Sequence, residues 1–158
     1  MRMAILGIIA FLFPMQAFAD NGQSVRAGLM FLGTGFVSVM VEQQWGDTGA
    51  RLTIGMFDTE LCLSAAATQS FGAGPVRPFA GIGLFSVLIF PKGKPGGLLF
   101  ASMPVGVDGR VSGPHRLGVE ADLHYFLAGR DPVGNPVIEK NWLLPLPGIN
   151  YRYEWEED

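Results

Sequence analysis

His115-Arg116-Leu117-Gly118-Val119-Glu120-Ala121-Asp122-Leu123-His124-Tyr125-Phe126-Leu127 is the stretch on which the reading of the fold turns. Leu117, Val119, Ala121, Leu123 and Tyr125 share one parity, and Arg116, Gly118, Glu120, Asp122 and His124 share the other. A period of two is the mark of a β-strand with unlike faces. One face suits apolar surroundings; the other needs hydrogen-bonding and charged partners.

The pattern repeats on either side of this stretch. Ile149, Tyr151, Tyr153 and Trp155 alternate with Asn150, Arg152 and Glu154; Leu52, Ile54 and Met56 alternate with Arg51, Thr53 and Gly55; and Val37, Val39 and Val41 oppose Ser38 and Glu42. Eight such segments are predicted, at about 24–33, 36–46, 50–58, 60–70, 76–90, 97–107, 115–127 and 146–155. Most links between them are short, at Thr34-Gly35, Asp47-Thr48-Gly49, Asp58-Thr59 and Gly72-Ala73-Gly74-Pro75. The fifth runs from Pro91 to Gly96 and the sixth from Asp108 to Pro114. Hairpin-length links make sequence neighbours antiparallel neighbours. Only the seventh link, about 128–145, is long, and it contains Asp131-Pro132, Gly134-Asn135-Pro136 and Trp142-Leu143-Leu144.

Composition limits what such a chain can be. It has 158 residues, 49% of them hydrophobic and only 16% charged, with a formal net charge of −3. This excludes intrinsic disorder, which needs few apolar residues and many charges. It also argues against nucleic acid as a partner, since there is no basic surplus to hold a phosphate backbone. Residues 1–19 read as a secretory signal peptide, with Arg2, an apolar core from Ala4 to Phe13 and a small-x-small site at Ala17-Phe18-Ala19. The single domain is then 20–158. Its one cysteine, Cys62, allows no internal disulfide. No Cys/His spacing for zinc, acidic calcium loop or glycine-rich phosphate loop is present, so neither metal nor cofactor is expected.

Alternation alone does not say which face points inward. The charged faces carry both signs, with Arg26, Arg51, Arg77, Arg116 and Arg152 against Glu42, Glu60, Glu120, Asp122 and Glu154. Such balance suits an enclosed lumen in which Arg26, Glu42, Arg51, Arg77, Arg116, Glu120, Asp122, His124, Arg152 and Glu154 neutralise one another. All three lysines, Lys92, Lys94 and Lys140, fall in links. Aromatic residues cluster near strand ends at Phe31, Phe36, Trp45, Phe57, Phe90, Phe100, Tyr125 and Trp155, as girdles at two membrane interfaces would require. The expected architecture is an all-β, eight-stranded antiparallel up-and-down barrel that crosses a membrane with its apolar faces outward. The alternative is a soluble periplasmic barrel or sandwich holding a small apolar ligand, with Leu117, Val119, Leu123, Ile149 and Tyr151 inside.

The chain resembles the small eight-stranded outer-membrane β-barrel proteins of Gram-negative bacteria. The likeness rests on the signal peptide, Val76-Arg77-Pro78-Phe79-Ala80-Gly81-Ile82-Gly83, Leu117-Gly118-Val119-Glu120-Ala121 and Gly148-Ile149-Asn150-Tyr151-Arg152-Tyr153. It implies an outer-membrane location, outer-membrane lipid as surroundings, and a structural or surface-interaction role. The chain departs from that pattern after Trp155, where such proteins typically finish on an aromatic residue and here Glu156-Glu157-Asp158 follow.

One local stretch, His124-Tyr125-Phe126-Leu127-Ala128-Gly129, is similar to the His-Tyr-Ser-Asn-Ala-Gly stretch of outer-membrane lipid A deacylases, which are ester hydrolases. The resemblance implies His124 as base and puts Phe126, which has no hydroxyl, at the nucleophile's position. No catalytic residue is therefore assigned. A Ser102, His124, Asp122 grouping can be drawn, with a hairpin centred near Val111 setting Ser102 beside Glu120. A buried lumen network accounts for the same residues. The long link supplies the expected contact surface, through Arg130, Asp131, Glu139, Lys140 and Trp142, for a protein or for lipid headgroups.

Overall fold

The computed structural model describes residues 23–90, 96–131, 133–137 and 143–156. The expected signal peptide, most of the fifth link, Glu139, Lys140, Trp142, Glu157 and Asp158 lie outside the described residues.

Eight strands form one closed antiparallel barrel in sequence order: β1 (Gln23–Leu32), β2 (Val37–Trp45), β3 (Thr48–Phe57), β4 (Glu60–Ser70), β5 (Val76–Ile89), β6 (Gly96–Ser112), β7 (His115–Arg130) and β8 (Leu143–Glu156). β8 closes on β1 through pairs such as Arg26 with Glu154 and Gly28 with Arg152. Closure leaves no open sheet edge. Following paired residues round the wall leads from Arg26 to Glu42, Arg51, Ala66, Gly83, Ser102, His124 and Leu144. The walk starts near the first residues of β1 and ends at the opposite end of the barrel, so the strands are steeply tilted, as closure of a sheet requires.

The two ends differ. One carries the short turns at 46–47, 71–75 and 113–114 together with both ends of the strand series, and the other carries 33–36, 58–59, 90–95 and 131–142. Gly46, at φ +61°, takes the left-handed conformation that the two-residue turn between β2 and β3 demands.

Strand limits correct the sequence reading in three places. The turn between β2 and β3 is Gly46-Asp47, with Thr48 and Gly49 already in β3. β6 runs on through the predicted sixth link as far as Ser112, which leaves only Gly113-Pro114 as the turn. Asp108-Gly109 reads as punctuation, yet Asp108 pairs with Gly118 and its side chain finds arginine partners inside. β7 and β8 likewise consume both ends of the expected 128–145 link.

The faces sort as closed geometry dictates. Leu117, Val119, Ile149 and Tyr151 are exposed, while Arg116, Glu120, Arg152 and Glu154 are buried. Leu29, Val37, Val39, Ile54, Ile82 and Leu84 continue the exposed apolar wall round the barrel. The arrangement is the inverse of a soluble barrel, and it corrects the alternative that put Leu117, Val119, Ile149 and Tyr151 inside. Leu123, the fifth residue of that set, is half-buried.

Candidate functional site

Among the described residues the lumen gathers a cluster of buried charged groups, and inward parity delivers them from six of the eight strands. Toward the short-turn end, Arg26 reaches Glu154 at 2.6 Å and Arg152 reaches Glu42 at 2.6 Å. Arg51 donates to Glu120 at 2.8 Å and lies 3.6 Å from Glu42, which also accepts from Thr68 at 3.0 Å. Arg116 grips Asp108 through Nε at 2.9 Å and Glu154 through Nη1 at 3.0 Å. Asp108 also holds Arg152 at 3.1 Å. Phe79 lies beneath this lattice, its ring centroid 5.0 Å from the Arg51 guanidinium carbon.

Charges taken out of water lose several kcal/mol of solvation each, and are tolerated only when every one has close opposite partners. Here most carboxylates serve two or three arginines. Asn150, fully buried, adds a neutral link by donating to Glu120 at 3.1 Å. Gly118 makes this possible, because a Cβ there would come within 2.7 Å of the Asn150 Oδ1.

Not every expected member belongs. Arg77 sits at the rim and pairs with Asp47 in the turn between β2 and β3, apart from the buried lattice. Glu60 lies beside the turn between β3 and β4 at the opposite end, next to Thr59. Sequence reasoning missed Asp108, Asn150 and Arg110, which donates to Glu154 at 2.9 Å. The parity of Asp108 with Ser102 was the available signal, and the apparent turn at Asp108-Gly109 hid it.

Toward the other end the filling changes character. Cys62, Phe85, Phe100 and Phe126 form a buried cluster against which Phe57, Val87, Leu98, Val137 and Leu146 pack. Phe85 and Phe100 lie 5.6 Å apart between centroids, as do Phe100 and Phe126. This corrects the expectation for Phe100, which is 1% exposed and belongs to the lumen rather than to an outer girdle. Phe31, Phe36, Trp45, Phe90, Tyr125 and Trp155 are exposed, and Phe57 is half-buried with its ring against Phe36 at 5.3 Å.

Ser102, Asp122 and His124 lie where the two fillings meet. β6 sets Ser102 opposite His124 rather than beside Glu120, because the hairpin turns at Gly113-Pro114. Ser102 donates to Asp122 Oδ1 at 2.8 Å. His124 Nε2 lies 3.3 Å from Asp122 Oδ2, out of line for a hydrogen bond, and neither ring nitrogen has a hydrogen-bond partner. The ring instead packs on Phe85 at 4.1 Å. A nucleophile–base relay needs the serine hydroxyl on the imidazole. Here the serine is turned to the carboxylate, and all three side chains are buried.

No family model and no curated sequence matches the chain. Solved structures do. The N-terminal β-barrel domain of Pseudomonas aeruginosa OprF superposes with a TM-score of 0.60 at 16% identity, over 86% of this chain and 98% of that one. Neisserial surface protein A (NspA) superposes with a TM-score of 0.52 at 14% identity, over 84% of this chain and 95% of that one. The fold is that of the small eight-stranded outer-membrane barrels.

At the far end, the described part of the link between β7 and β8 is ordered around Asp131. Its carboxylate accepts from the backbone of Asn135 at 2.8 Å and of Val133 at 2.9 Å, and from the Asn135 side chain at 3.1 Å. The Asn135 N–H first, then the other donors, hold this carboxyl below its usual range. Arg130 ends β7 exposed and pairs with Pro136 across an isolated bridge. Among the described residues no group of three or more His, Cys, Asp or Glu is placed to hold a metal ion.

Proposed function

We propose that the chain is an exported outer-membrane barrel whose side-chain-filled lumen gives mechanical stability rather than passage, and whose link between β7 and β8 is its contact surface. The observation that carries this reading is the inversion of faces on a closed sheet. A ring of exposed Val, Leu, Ile and Met side chains encloses a lattice of paired arginines and carboxylates. In water such an exterior would aggregate; in lipid it is the favoured solvent face. The fold shared with OprF and NspA agrees with that placement.

An eight-stranded barrel has an interior about wide enough for its own side chains. The lumen here carries an ionic lattice in one half and packed aromatic rings in tilted and edge-to-face contact in the other, which favours a closed interior over a diffusion pore. Small-barrel topology sets short turns toward the periplasm and longer links outward. On that orientation Arg130 and Asp131 lie at the outward end, and the link they open, whose sequence includes Glu139, Lys140 and Trp142, is the segment that would meet a protein or lipid headgroups.

An ester hydrolase related to lipid A deacylases is the less favoured reading. His124 and the residue at the nucleophile's position, Phe126, both face the lumen, and Phe126 packs on Phe100.

The test is fractionation of cells expressing the full chain, followed by electrophoresis in detergent with and without heating, and by planar-bilayer recording. Outer-membrane recovery, a heat-dependent mobility shift and no porin-sized conductance are expected. Recovery as a soluble periplasmic protein would refute the membrane reading, and steady large conductance would refute the filled lumen.

A further inference from the structure

The buried charges of the lumen do not balance if only arginines are counted against carboxylates. Among the described residues Arg26, Arg51, Arg116 and Arg152 are buried, against Glu42, Asp108, Glu120, Asp122 and Glu154. Four of these carboxylates each have a close arginine: Glu42 with Arg152 at 2.6 Å, Asp108 with Arg116 at 2.9 Å, Glu120 with Arg51 at 2.8 Å and Glu154 with Arg26 at 2.6 Å. Asp122 has none among the described residues. One of its oxygens accepts from Ser102 at 2.8 Å, and the other faces His124 Nε2 at 3.3 Å. Arg51 acts on Asp122 only at longer range, being engaged by Glu120 and Glu42. We propose that His124 is the missing cation: the His124–Asp122 pair holds a proton on the imidazole, and this proton makes the stability of the barrel depend on pH.

The surroundings of His124 suit an imidazolium. A neutral ring would leave Asp122 as a buried carboxylate with no counter-ion, the costliest state for a side chain shut out of water. His124 is itself fully buried, and neither ring nitrogen has a hydrogen-bond partner. A modest turn of the ring aligns Nε2–H with Asp122 Oδ2 and makes the contact charge-assisted. The Phe85 ring lies 4.1 Å from the imidazole between centroids, close enough for its π-electrons to stabilise a cation.

The neighbouring strands bring no other cation to the pair. β5 contributes Phe85, and β6 contributes Phe100 and Ser102. Leu144 of β8 stands opposite His124 in register. Cys62 of β4 belongs to the same aromatic cluster, and a thiol carries no positive charge. On β7 the other acidic neighbour is Glu120, which is engaged by Arg51 and Asn150. Arg110, exposed at the rim, pairs with Glu154. The sign of the pH effect follows. A histidine in the unfolded chain releases its proton at about pH 6.5, whereas the ion pair keeps it in the barrel. The folded state then binds the extra proton above that pH, so the contribution to stability is complete below it and is lost as pH rises. The inference needs only the closed barrel and its buried charges, and stands apart from the contact surface and membrane orientation proposed above.

The experiment uses the full chain in neutral maltoside micelles, carrying His115→Gln so that His124 is the only imidazole. Ring nitrogen NMR signals and urea unfolding are followed over about pH 5 to 9, on both sides of the unfolded histidine's titration. Both ring nitrogens of His124 should carry protons in the folded barrel at neutral pH. Above about pH 6.5 the unfolding equilibrium constant, relative to that of an added His124→Gln, should rise by up to about tenfold per pH unit, the slope of one proton. Asp122→Asn keeps the size of the side chain and an acceptor for Ser102 but removes the charge, and should abolish both the imidazolium signal and the slope. A retained heat-dependent mobility shift verifies that each variant is folded, and the ring signals of the His115→Gln chain test the assignment even if His124→Gln does not fold. A neutral ring at pH 7 in the folded His115→Gln chain, or a carboxyl carbon signal showing the proton on Asp122, would overturn the assignment. A slope that survives Asp122→Asn would overturn the pair.

Discussion

Near the short turns the lumen is occupied by Arg26, Glu42, Arg51, Asp108, Arg116, Arg152 and Glu154, whereas near the longer links it is occupied by Cys62, Phe85, Phe100 and Phe126. On the filled-lumen reading proposed above, both fillings close the interior, but by different physics. The ionic half depends on angles and partners, because one missing carboxylate strands several buried guanidiniums. The aromatic half depends on volume, because rings in contact can repack around a smaller neighbour. The closed sheet is common to both halves, so each can be perturbed against the same wall.

The largest effect is expected from Glu42→Ala. It removes the carboxylate that faces Arg26, Arg51 and Arg152, and should destabilise the barrel by about 3–5 kcal/mol in urea titrations from vesicles. A loss below about 1 kcal/mol would show that the lattice is solvated well enough to be ordinary surface charge. Next comes the wall itself: Val119→Arg, on the exposed face of β7, should cost about 2–4 kcal/mol if that face meets the hydrocarbon midplane. A neutral outcome would place Val119 in water.

Phe85→Leu probes the other half at constant apolarity and should cost only about 1.5 kcal/mol, since Phe100 and His124 can close around the smaller side chain. A cost equal to that of Glu42→Ala would erase the proposed difference between the halves. The smallest effect is expected outside the barrel. Asp131→Ala should leave unfolding unchanged but speed proteolytic clipping of the link between β7 and β8, since three hydrogen bonds converge on that carboxylate. The folded carboxyl titrates below its free value, so its ordering effect is complete above about pH 4 and fades as pH falls through the lower folded value. Protection from an acid-active protease should follow that sign in the parent and vanish in Asp131→Ala.

The fold was legible because parity is a local property, visible in thirteen residues from His115 to Leu127 without knowing what lies across the barrel. The ionic half was mostly legible for the same reason. Its missing member, Asp108, was lost because an acidic residue before glycine has the chemistry of a turn, and nothing local shows that β6 continues to Ser112. The rim position of Arg77 was not legible either, since parity gives a face but not a depth along a tilted barrel. Phe100 shows two cues in conflict: nearness to a strand end suggested a girdle, while shared parity with Ser102 already pointed inward. Parity is the stronger cue, because a strand cannot reverse one side chain without a bulge, and the two register shifts between β6 and β7, at Leu99/Phe100 and at Arg110/Ser112, leave the run from Phe100 to Ser102 unbroken.

The central claim is that odd-numbered residues of β7 such as Leu117 and Val119 face lipid. It is tested most directly by nitroxide labels on Leu117→Cys, Val119→Cys and Ile149→Cys, in a Cys62→Ala background reconstituted into phosphatidylcholine vesicles. Collision with dissolved oxygen and with a water-soluble nickel chelate is then compared. The account predicts high oxygen and low chelate accessibility at all three positions. High chelate accessibility, or immobilised labels reached by neither reagent, would place these residues in water or in a core and contradict it.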